Sequence, residues 1–167
     1  MEPYMDNQKV KGVLTHLDEE GNPRMVDVHQ KLPTCREALA EGWIILDDST
    51  ISAISEHRIN KGDVIQIAQL AGIMGSKQTA SLIPLCHPIP IDGVDVTIQL
   101  VPGKGAHIQA LVKTTWKTGV EMEALTAVSI AALTMYDMIK SIHKGAQIEG
   151  IKLLRKIGGK SGEWNKN

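Results

Sequence analysis

Between residues 117 and 141 the chain reads KTGVEMEALTAVSIAALTMYDMIKS, and this stretch restricts the fold more than any other. Its centre, Ala124, Leu125, Ala127, Val128, Ile130, Ala131, Ala132 and Leu133, is apolar on nearly every side and is interrupted only by Thr126, Ser129 and Thr134. Such a helix belongs inside a core. Charge is confined to its ends, with Glu121 and Glu123 at the start and Asp137 and Lys140 at the finish. Carboxylates near an N-terminus and a lysine near a C-terminus suit the helix dipole, so end-capping is one explanation. Asp137 and Lys140, three positions apart on one face, are either an ordinary ion pair or an acid/base pair. On one straight helix, 14 steps of about 1.5 Å separate Glu123 from Asp137 by roughly 21 Å. One small-molecule site therefore uses both ends only if a second subunit brings the opposite end into reach.

The flanking segments give that helix something to cover. Residues 35–46 alternate through Ala38, Ala40, Ile44 and Leu46 and suggest a first strand, although REALAE alone also suits a helix. Asp48, Ser49 and Thr50 make a polar break before a short helical piece at 51–55. Asp63 is placed to cap a helix running from Val64 to about Lys77. Three prolines in LIPLCHPIPI, Pro84, Pro88 and Pro90, forbid helix and predict a rigid extended segment. Val94, Val96, Ile98 and Leu100 alternate with polar residues, as do Ile108, Ala110, Val112 and Thr114 after the break at 102–105, predicting a hairpin. Residues 146–155 can supply a last strand. The order strand, helix, strand, strand, helix, strand predicts an α+β, ferredoxin-like βαββαβ sandwich, with both helices on one face of an antiparallel sheet. Residues 1–33, with a turn at Glu20, Gly21, Asn22 and Pro23 and a short extended piece at 25–28, read as a mobile or draped arm. Residues 34–155 form a single domain, and the Gly/Lys-rich 156–167 a flexible tail.

Composition narrows the function. A net charge of −1 over 167 residues disfavours an electrostatic nucleic-acid binder, and with no Phe, three Trp and two Tyr there is little to stack bases on. Cys35 and Cys86 are too few for a disulfide framework and read as reduced thiols in a cytoplasmic protein. No uninterrupted apolar run reaches the roughly 18 residues of a membrane span.

Three places carry chemistry. His87, held between Pro84 and Pro88, is either structural or placed to hold a phosphate or a base; no second ligand spacing accompanies Cys86 and His87, so a metal is not expected. Lys156 and Lys160 flank flexible glycines that either close over a phosphate or form a solvated tail. A Walker loop is ruled out because Leu154 stands where its first glycine is needed. A nucleotide-sensing module without catalysis and an RNA-binding module share the predicted fold. The second needs paired aromatics on a central strand, where only Trp116 is present.

TGVEMEALTAVSIAALTMYDMIKS, LIPLCHPIPI, KGDV, AGIM with Lys77 behind it, RMVDV and the closing GGKSG together resemble the cyclic pyranopterin monophosphate synthase family, the MoaC-type proteins of molybdenum cofactor biosynthesis. The likeness spans residues 14–162. It implies conversion of 3',8-cyclo-7,8-dihydroguanosine 5'-triphosphate to cyclic pyranopterin monophosphate with loss of diphosphate, by a lyase needing no metal or organic cofactor. It also implies a homohexamer, a trimer of dimers with sites at dimer interfaces, while the composition argues against nucleic acid or a membrane as a partner. Carried onto this sequence, the family pattern makes Asp137, Lys140 and Lys61 catalytic. It makes Leu85, Cys86, His87, Glu121, Met122 and Glu123 substrate contacts, and Arg36, Lys77, Lys156 and Lys160 candidates for the triphosphate. The chain departs from the pattern at His29 and Ile157, where serine is usual, and at Asn60, where histidine is common. No proposed catalytic side chain is lost by these changes.

Overall fold

Strand β1, Thr34–Ile45, is the frame on which the sheet is built. Ala38, Ala40 and Ile44 are fully buried, with the intervening side chains on the other face, as the alternation predicts. β1 pairs antiparallel with strands on both sides, and that pairing overrides the helical propensity of REALAE. The computed structural model describes residues 17–18, 20–160 and 162–166. The first sixteen residues and Glu19 of the expected arm, and Ser161 and Asn167 of the tail, lie outside the described residues.

After β1 come helices α1 (Asp48–Ser55), α2 (Val64–Ser76) and the single turn α3 (Thr79–Leu82), then strands β2 (Gly93–Val101) and β3 (Gly105–Trp116). Helix α4 (Glu121–Ile139) and strands β4 (Gln147–Ile157) and β5 (Trp164–Asn165) complete the chain. The sheet order is β2-β3-β1-β4-β5, antiparallel throughout, and its first four strands carry the βαββαβ plan. Helices α2 and α4 lie on one side of it. The fold is thus the α+β, ferredoxin-like arrangement that the order of elements predicts.

Close approach of backbones explains why the centre of α4 is rich in alanine. Ala106, Ile108, Ala110 and Val112 of β3 and Ala124, Ala127, Val128 and Ala131 of α4 have no exposed surface. Helix α2 meets α4 through Gly72 and Gly75. A β-carbon on Gly72 would lie 2.9 Å from the Ala127 carbonyl oxygen, and one on Gly75 would lie 2.7 Å from Ile130 Cγ1. The burial of α4 is not complete on every side, however. Leu133 is 55% exposed, and Ser129 and Leu125, four and eight positions before it, are partly exposed. Leu70 and Met74 of α2, 59% and 60% exposed, add to this outward apolar surface.

Several boundaries differ from the sequence reading. The Asp47 carboxylate accepts from the Thr50 amide at 2.7 Å, so the polar residues 48–50 are the first turn of α1 and not a break before it. Asp63 caps α2 through the Gln66 amide at 2.9 Å, as its position predicts. Strand β4 continues two residues beyond Arg155, and β5 then pairs with it through Trp164 and Asn165. Residues 25–28 join no strand, although Val26 and Val28 are more buried than Met25, Asp27 and His29 around them.

Candidate active site

The two charged ends of α4 form two separate clusters. At its C-terminal end the Asp137 carboxylate lies between two lysines: Lys140 Nζ is 2.6 Å from Oδ1, and Lys61 Nζ is 3.0 Å from Oδ2. Lys61 also donates to the Asp137 main-chain oxygen at 2.7 Å, satisfying a carbonyl that the end of the helix leaves without an intrahelical partner. Its placement comes from the turn before α2, where Gly62 adopts a φ of 108° and the Gly62 amide donates to Ile59. A cavity of about 440 Å³ opens beside Lys61 and Lys140, lined also by Tyr136, Ser141 and Lys144.

Charge pairing sets the protonation states here. Hydrogen bonds from Lys140 and then Lys61 hold the Asp137 carboxyl below the usual carboxylate range. The reciprocal bond from Asp137 raises Lys140 above an ordinary lysine. A desolvated, partly neutral lysine, the other way such a pair can be poised, is not the arrangement found: the Lys140 side chain is 52% exposed. At neutral pH the pair is a carboxylate and an ammonium, so Lys140 is set to give a proton before it can take one.

At the other end, the proline-fixed segment faces the first turn of α4. Leu85, Cys86, His87 and Ile89 line a cavity of about 260 Å³ with Thr118, Gly119, Glu121, Met122 and Glu123. The two glutamates, which the sequence presents as equivalents, differ sharply. Glu121 is partly exposed, with Oε1 3.3 Å from Lys156 Nζ, and it folds back over Gly119, where any β-carbon would overlap its Oε2. Glu123 is only 3% exposed, and its Oε2 has no hydrogen-bond partner among the described residues. Two positions along a helix are about 200° apart, so one side chain reaches the basic tail and the other enters the core. Burial pushes the Glu123 carboxyl up to about 7, with the Glu121 charge adding to the shift. Burial also raises the Cys86 thiol, with Glu123 adding to that rise.

Two cationic groups, Arg36 and Lys156, lie at this end. Arg36 donates from Nε to the Trp116 carbonyl at 3.0 Å and from Nη2 to the Lys117 carbonyl at 3.3 Å, which lays its guanidinium across the approach to α4. The turn at Gly158 and Gly159 folds over it; Gly159 has a φ of 76°, and a β-carbon there would overlap Arg36 Nη1. Lys156 leads into that turn and Lys160, exposed, leaves it. Lys77 caps the C-terminus of α2 and is exposed, with no side-chain hydrogen bond or ion pair among the described residues.

One chain therefore unites Lys61, Asp137 and Lys140, and separately unites residues 85–87 and 121–123 with Lys156, but it does not bring the two groups together. Sequence reasoning passed over Trp116 and Lys117, whose carbonyls hold Arg36, and Tyr136 and Lys144 beside Lys140. It also passed over Val26, whose carbonyl oxygen lies 2.7 Å from His87 Nε2. The four-residue step from Lys140 to Lys144 was a usable signal; the Val26 contact, 61 positions away in sequence, left none.

Comparison with known proteins gives this arrangement its relatives. The MoaC family model matches residues 25–159, which include every candidate named above except Lys160. A protein of Cereibacter sphaeroides named cyclic pyranopterin monophosphate synthase is 53% identical over 152 residues, covering 90% of this chain and 96% of its own. One of Trichodesmium erythraeum with the same name is 53% identical over 162 residues, covering 95% and 96%. One of Nostoc sp., again so named, is 55% identical over 152 residues and covers 90% of each. With a family match across most of its length and relatives at this identity over nine-tenths of both partners, the chain belongs to the MoaC family.

Proposed function

We propose that this chain is a cyclic pyranopterin monophosphate synthase: a cytoplasmic lyase that converts 3',8-cyclo-7,8-dihydroguanosine 5'-triphosphate to cyclic pyranopterin monophosphate and diphosphate, an early step of molybdenum cofactor biosynthesis. The observation that carries the reading is the Asp137 carboxylate held between Lys61 and Lys140 at 3.0 and 2.6 Å, in a chain whose relatives bear that enzyme's name. Rebuilding a purine-derived ring needs protons delivered and removed at several atoms. A carboxylate with two lysines supplies donors and an acceptor within one small volume. Arg36, Lys77, Lys156 and Lys160 meet the triphosphate and neutralise charge as the cyclic phosphate forms and diphosphate departs. Leu85, Cys86, His87, Glu121, Met122 and Glu123 hold the ring end. The reaction so read calls for no metal or organic cofactor.

The active form is a homohexamer, a trimer of dimers, and each site takes the C-terminal end of α4 from one subunit and the N-terminal end from its neighbour. Two observations support this. The two clusters sit at opposite ends of a 19-residue helix, too far apart for one small substrate. The outward surface of Leu70, Met74 and Leu133 is apolar and more than half exposed in the single chain.

The test is mass spectrometry of the cyclic dihydroguanosine triphosphate after incubation with the wild-type chain, Asp137→Asn and Lys140→Ala. Product and diphosphate from the wild type alone are expected. Substrate bound but recovered unchanged from the wild type would reduce the chain to a nucleotide-binding module.

A further inference from the structure

Residues 24–29, the RMVDV segment and His29, cross in front of the proline-fixed loop and touch it at one polar point. His87 Nε2 lies 2.7 Å from the main-chain oxygen of Val26. A carbonyl oxygen can only accept, so the hydrogen is on Nε2. His87 Nδ1 makes no hydrogen bond among the described residues. We infer that this segment is a positioning strap: the Val26 carbonyl fixes His87 in the Nε2–H tautomer, so that the neutral ring offers Nδ1 to the ligand as an acceptor.

The strap is itself fastened. Lys117 Nζ donates to the His29 carbonyl at 2.9 Å, and the Asp27 carboxylate accepts from the His29 amide at 2.8 Å. The hydrogen bond from the Lys31 amide to Val28 closes a turn behind it. Val26 and Val28 are the more buried residues of the segment, consistent with docking by alternate side chains. On the receiving side, Pro84 and Pro88 stiffen the backbone about His87, and the Cys86 amide is bonded to the Ile83 carbonyl. Backbone on both sides thus determines the ring's direction, and His87 borders both the cavity of about 260 Å³ beside Glu123 and the one of about 450 Å³ under the strap.

The consequence is chemical selectivity. An imidazole with its hydrogen committed to Val26 presents a lone pair, which repels phosphate oxygen and attracts an N–H or O–H donor. The class of group it takes is a ring N–H, an exocyclic amine or a sugar hydroxyl. This assigns His87 to the ring end of the substrate and leaves the triphosphate to the lysines and Arg36. It rests on the function proposed above for the identity of the substrate, but not for the tautomer.

The experiment is long-range ¹⁵N–¹H correlation spectroscopy on the full chain, with His87 identified by its loss in His87→Gln. A single Nε2–H tautomer for neutral His87 is expected. In the double variant Asp27→Ala/Lys117→Met, which unfastens the strap and leaves His87 in place, the ring shifts toward the mixture of a free histidine. The KM for the cyclic triphosphate then rises roughly two- to tenfold, the worth of about one hydrogen bond, with kcat little changed. An Nδ1–H tautomer in the wild type, or a tautomer and KM unmoved in the double variant, would overturn the inference. If the chain binds the triphosphate without turning it over, the function fails while the tautomer result still decides the strap, with Kd read in place of KM.

Discussion

Replacing Glu123 by glutamine removes a titrating group from the least accessible acidic site among the described residues, and the structure sets the size of the effect. The carboxyl is 3% exposed, and its Oε2 is unpaired among the described residues. Its proton is held up to about 7, against an ordinary 4.5. Between those values the unfolded chain has released the proton and the folded chain keeps it. The folded state therefore binds more protons, and its stability falls as pH rises through that window. At roughly 1.4 kcal/mol per pH unit, the full loss amounts to about 3 kcal/mol. Glutamine has the same shape and nothing to titrate. The stability of Glu123→Gln relative to wild type, from urea unfolding at one protein concentration, should thus grow by about 3 kcal/mol between pH 4 and pH 8. A difference that stays flat across that range would refute the reasoning, since it would mean that the carboxylate is as well solvated in the fold as outside it.

Two further substitutions test other parts of the account. Gly119→Ala forces the Glu121 carboxylate off its perch and away from Lys156, so steady-state kinetics should show a raised KM for the triphosphate with thermal stability little altered. Gly75→Val drives two methyl groups into Ile130, and overpacking of this kind costs about 1–3 kcal/mol, measurable as a lower urea midpoint.

What the sequence disclosed and what it withheld follow from the range of the forces involved. β3 was legible because its period of two is a local consequence of facing a core, and α4 because a long run of apolar and small residues with charge only at its ends reads as a buried helix. Asp63 was legible as a cap because the amide it binds is three residues on. The same logic served Asp137 with Lys140, three apart on one helix. Lys61, which completes that cluster from 76 positions away, was named only through family resemblance. The inequality of Glu121 and Glu123 was hidden because both are carboxylates in a first turn; only the direction of the sheet below α4 decides which is buried. β1 was ambiguous because its strand state depends on partners on both sides, and β5 was unseen because two residues carry no period. The exposed stripe through Leu133 was missed because helix α2 covers one flank of α4 and leaves the other open.

The central claim is that the two ends of α4 from different subunits complete one site for the cyclic triphosphate, and co-expression of two crippled chains tests it most directly. Asp137→Asn disables the C-terminal cluster and His87→Ala the N-terminal one, so each variant alone should be inactive. In an equal mixture that assembles at random, half of the dimers pair the two variants and one of the two sites in each is intact, so diphosphate release should recover to about a quarter of wild type. No recovery from a mixture shown to contain mixed oligomers would contradict the shared site and place the whole reaction within a single chain.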